Sequence, residues 1–84
     1  MVDRAELELV LDAAFAGVSR VADFIVSLPD DDRPTAFAAA ERSYFSTVRQ
    51  FAGSDGEALG WAASLLMSLR SEVELRTQGR DDAA

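Results

Sequence analysis

A chain of 84 residues with 49% hydrophobic and 27% charged side chains has the size of one domain with a small core, and its composition is that of a folded protein rather than a disordered one. Eight basic residues against fifteen acidic ones give a net charge of −7, which sets the chain against binding a phosphate backbone, because that affinity comes from Lys and Arg releasing counterions. There is no cysteine or histidine, which excludes a disulfide framework, thiolate zinc sites and the usual nucleophile and base pairs.

All eight basic residues are Arg, Lys and Asn are absent, and Ala occurs fifteen times, a bias that reads as coding preference rather than function. Acid at Asp3 and Glu6 stands where a secretory signal carries basic charge, so the cytoplasm is the expected compartment. No uncharged run reaches the roughly 18 to 20 residues of a membrane span, so no membrane partner is expected.

The first predicted helix covers residues 3–28. Asp3 followed by Glu6 has the form of a capping box. Leu7, Leu11, Ala14, Val18, Val21, Ile25 and Leu28 then recur at alternating steps of four and three, a seven-residue repeat like that of a coiled coil. Val10, Phe15, Ala22 and Phe24 widen the stripe. Pro29 lacks an N–H and disfavours helical geometry in the residue before it, which places the stop at Leu28.

The connection from 28 to 35 holds two prolines and Asp30-Asp31-Asp32, carboxylates suited to the positive end of the next helix. The run lacks the spaced oxygens and turn glycine of a calcium loop, so no metal is expected. The second helix is predicted over residues 32–52. Its apolar positions are Phe37, Tyr44 and Phe51, with Ala40, Phe45 and Val48, and Gly53 is its expected stop.

Ser54 and Glu57 form a second capping box, opening a third helix over residues 54–78, with Gly79 as stop and a frayed tail at 80–84. This helix holds the most apolar segment and the lone Trp. Its seam reads Leu59, Ala62, Leu66, Leu69, Val73, flanked by Trp61 and Leu65. Gly56, Gly60, Ser64 and Ser68 make a stripe of small residues that would admit a close helix contact. Glu72 and Arg76 are ordered as a supporting pair.

The expected fold is all-α, a three-helix up-down-up bundle with long first and third helices. At 1.5 Å per residue the helices span about 39, 27 and 36 Å, so the middle one is too short to cover its neighbours. The surplus predicts self-association. The expected function is a non-enzymatic protein–protein interaction module acting as a homodimer through helices one and three, with interface residues Leu7, Leu11, Val18, Phe24, Gly60, Trp61, Leu65 and Met67. The alternative is an acidic accessory chain of the antitoxin or inhibitor kind that binds a basic protein partner through complementary charge. No catalytic residue, cofactor or nucleic acid is expected: the serines have no base to activate them, and Glu6 with Glu8, like Glu72 with Glu74, point different ways on a helix.

Overall fold

The computed structural model describes the backbone of residues 4–83 and the side chains of residues 4–78. Helix α1 spans Arg4–Ser27, a 3-10 turn spans Asp30–Asp32, α2 spans Arg33–Arg49 and α3 spans Asp55–Ala83. The three helices form an all-α up-down-up bundle about 52 Å long and 21 by 16 Å across. Helix α3 is its spine: it packs along both α1 and α2, which meet each other over less of their length.

The core follows the periodicity. From α1 come Leu7, Leu11, Val18, Ala22, Ile25 and Val26, from α2 Val48, and from α3 Ala58, Ala62, Leu65, Leu69 and Val73, with Ala52 closing the turn. The buried alanines let backbones approach, while Ile25, Leu65, Leu69 and Val48 fill the centre. Phe37, Ala40, Tyr44, Phe45 and Phe51 lie half-buried against that core, as the spacing on the second helix predicts.

The start of α3 is capped as expected, the Glu57 N–H donating to Ser54 Oγ at 3.1 Å. The matching pattern at Asp3 lies outside the described residues. Two boundaries differ from expectation, and neither Gly53 nor Gly79 adopts the positive φ with which glycine commonly ends a helix. Helix α2 ends at Arg49, short of 52; the Phe51 and Ala52 N–H groups both turn back onto the Val48 carbonyl, each at 2.9 Å. Helix α3 runs through Gly79 to Ala83, so residues 80–83 are helix rather than tail. The Asp30–Asp32 acids form a 3-10 turn, and Asp32 caps α2 without a side-chain hydrogen bond.

Polar ties set the register. Arg76 on α3 donates from Nε to Asp23 Oδ1 at 2.7 Å and from Nη2 to the Ser19 hydroxyl and carbonyl at 2.7 and 3.3 Å. Its Nη1 reaches the Glu72 carboxylate at 2.5 Å and the Glu72 carbonyl at 3.1 Å. The Glu72 bond first, then the Asp23 bond, raise the guanidinium's pKa above the ordinary arginine value. Arg33 clasps the α1 end, donating to the Val26 carbonyl at 3.1 Å and pairing with Asp30 at 3.0 Å. Arg49 pairs with Asp55 at 2.6 Å across the second turn, and Arg70 stacks its guanidinium 4.5 Å from the Phe37 ring.

Candidate interaction surfaces

Among the described residues seven large apolar side chains remain exposed: Leu9, Phe15 and Phe24 on α1, and Leu59, Trp61, Met67 and Leu75 on α3. Helix α2 contributes none. Its 17 residues lie within the span of its longer neighbours, with its aromatics turned inward.

The eight residues expected to form an interface divide in two. Leu7, Leu11, Val18 and Leu65 are 5%, 6%, 2% and 0% exposed, so they belong to the core of the chain and not, as expected, to an interface. The bundle buries Leu7, Leu11, Val18 and Ile25 of the α1 stripe and leaves Ala14, Val21 and Leu28 half-buried. Phe24, Gly60, Trp61 and Met67 do face solvent, but from different sides. Phe24 borders a groove between α1 and α2, Trp61 a hollow between α1 and α3, and Met67 a hollow between α2 and α3.

The seam of α3 is rotated from its expected position. The buried line runs Ala58, Ala62, Leu65, Leu69, Val73, whereas Leu66 is half-buried and Leu59 is 58% exposed. Leu59 and Leu66 look inward to a reader who ranks residues by hydrophobicity. The chain instead uses the small Ala58 where α3 enters the bundle and turns Leu59 out.

That rotation leaves a charge-free surface. Between Glu57 and Arg70, α3 carries no ionisable residue, and Leu59, Gly60, Trp61, Ala63, Ser64 and Met67 are all exposed. Gly60, Ala63, Ser64 and Met67 fall at i, i+3, i+4 and i+7 and therefore share one face. A Cβ built on Gly60 would meet nothing within 4 Å, so no contact inside the chain requires glycine there. Beside this face lies a hollow of about 450 Å³ lined by Ala62, Leu66 and Phe45, with Glu41 and Arg42 of α2 on its other side.

A second surface lies at the N-terminal ends of α1 and α3. Leu7, Leu11, Phe15 and Trp61 line a hollow of about 290 Å³ whose other lining residues are Arg4, Glu8, Asp12 and Glu57. The third surface, the α1–α2 groove, is uncharged and holds Tyr44, whose hydroxyl is buried without a hydrogen-bond partner. Burial raises the pKa of that hydroxyl above the ordinary tyrosine value of 10.0.

Among the described residues no group of three or more acidic side chains is placed to hold a metal ion, and no helix is long and apolar enough to cross a membrane. No protein-family model, curated protein or solved structure matches the chain.

Proposed function

We propose that this protein is a non-enzymatic interaction module that pairs with a second copy of itself through the charge-free face of α3. The observation that carries the reading is Gly60. Glycine in a helix interior costs about 1 kcal/mol relative to Ala, and nothing in the monomer fills the space its missing side chain leaves. A helix backbone from outside would use that space.

A second copy fits because the face is self-complementary. In an antiparallel pair of α3 helices with its two-fold axis between Ala63 and Ser64, Gly60 and Met67 stand equally far from the axis on opposite sides. Each Met67 side chain then lies over the partner's Gly60, and the interface is isologous. Two chains of net charge −7 repel, and a face without ionisable residues lets them meet with their carboxylates held apart. Methionine, unbranched and adaptable, suits the filling of such a shallow hollow.

The test is sedimentation at micromolar concentration. Wild type is expected at dimer mass, and Met67→Glu, which places a carboxylate on the face but touches no core residue, at monomer mass with little change in thermal melting. A wild-type chain that stays monomeric at these concentrations overturns the reading.

A further inference from the structure

The hollow at the N-terminal ends of α1 and α3 combines an apolar floor with a surplus of carboxylates. Its floor is apolar and includes the partly exposed faces of Phe15 and Trp61, each 38% exposed. Its lining includes three carboxylates, Glu8, Asp12 and Glu57, against the single guanidinium of Arg4.

Those three carboxylates make no ion pair among the described residues. Arg49, at the turn that leads into α3, is paired with Asp55 instead. Arg70 lies over Phe37. Two aromatic rings beside an excess of negative charge are the environment that a Lys or Arg side chain matches along its whole length. The aliphatic stem packs on the rings, the charged head meets carboxylates, and the ring faces add cation–π attraction.

We infer that this hollow is the docking site for a basic segment of a protein partner, which inserts a Lys or Arg side chain between Phe15 and Trp61. The net charge of −7 draws such a partner in from a distance, and the carboxylates fix where it lands. This hollow shares Trp61 with the uncharged stretch of α3 but opens on the α1 side of that helix, whereas Met67 borders the α2 side, so a dimer would carry two copies of it. The inference stands whether or not the chain self-associates.

Trp61 is the only tryptophan and is itself part of the hollow, so its emission reports occupancy. The probe is a tryptophan-free amphipathic peptide of Lys and Leu, compared with a Glu and Leu peptide of identical apolar pattern. The Lys peptide is expected to shift Trp61 emission and to lose about tenfold or more in affinity between 20 and 200 mM salt, as screening of opposed charges dictates. The Glu peptide is expected to leave the emission unchanged.

Glu8→Gln with Asp12→Asn should weaken the Lys peptide by about tenfold without altering the melt. Asp31→Asn with Asp32→Asn, which removes equal charge at the far end of α1, should weaken it much less. Equal losses from the two double variants would reduce the effect to net charge and overturn the site. Binding of both peptides alike, with no salt dependence, would overturn the basic partner in favour of an apolar one. An unchanged affinity in Met67→Glu is also expected, and separates this site from self-association; a loss there would place the peptide on the α3 face instead and overturn the assignment.

Discussion

Tyr44 carries the clearest cost at the level of a single side chain. Its ring is half-buried between α1 and α2, and its hydroxyl is hidden from solvent with no hydrogen-bond partner. A polar group left in that state costs about 1–3 kcal/mol, so Tyr44→Phe is expected to stabilise the fold by about 1 kcal/mol, measured by urea denaturation at neutral pH. The raised folded-state pKa means the neutral phenol is favoured in the bundle. Its contribution is therefore fully present below the unfolded value near 10 and is lost as pH rises through the folded value. Wild type should lose stability on that alkaline limb and Tyr44→Phe should lose less; identical limbs would remove Tyr44 as the cause. Leu65 and Leu66 make the complementary point about the core. Leu65 is wholly buried and Leu66 only half-buried, so Leu65→Asp should abolish cooperative thermal unfolding, an unpaired buried carboxylate costing several kcal/mol. Leu66→Asp should keep a cooperative, lowered melt, since the helix rim lets the carboxylate reach water. Circular dichroism melts of the two variants decide the register of α3.

Whole helices were legible wherever apolar spacing and a local stop agreed. The α1 stripe from Leu7 to Ile25, the break at Pro29 and the Ser54 cap all follow from chemistry within a few residues, and the structure places them accordingly. Glycine stops at Gly53 and Gly79 were misleading because the residue permits positive φ without enforcing it. The angular setting of α3 was out of reach for a different reason. Ala58 and Leu59 are neighbours, periodicity accepts either as the inward residue, and only packing against both partners chooses Ala58. For the same reason the expected interface mixed buried Leu7, Leu11, Val18 and Leu65 with surface Phe24, Gly60, Trp61 and Met67. Arg76 was expected to support α3 through Glu72, yet its main architectural effect comes from Asp23 and Ser19, more than fifty residues away. That tie fixes the axial register of two parallel helices whose apolar contacts alone permit sliding. Arg76→Ala should therefore lower the melting temperature more than Glu72→Gln, and Arg76→Lys should recover only part of the loss, because an ammonium's donors radiate from one atom and lack the spread of the planar guanidinium fork that reaches Asp23, Ser19 and Glu72 together. Equal melting of Arg76→Ala and Glu72→Gln would confine the arginine to a role within α3.

In the whole molecule, the proposed dimer sets association against stability at Gly60, and that opposition gives its sharpest test. Within one chain the position is an exposed helix interior with open space around it. Gly60→Ala should therefore stabilise the monomer by about 1 kcal/mol, through lower backbone entropy in the unfolded state and better helix propensity. Across an antiparallel α3 pair the same methyl group would meet the partner's Met67 and hold the two backbones apart. Chemical denaturation in the Met67→Glu background, where association is removed, isolates the first effect. Sedimentation of Gly60→Ala alone reads the second, with the dissociation constant expected to rise about tenfold, the equivalent of 1.4 kcal/mol. A dimer strengthened by the added methyl would mean that the copies meet on another face, with Gly60 left in solvent. A monomer weakened by it would mean that the space beside Gly60 is already taken within the chain. The combination of a more stable monomer and a weaker dimer follows only if glycine is kept at this position for a backbone that belongs to a second molecule.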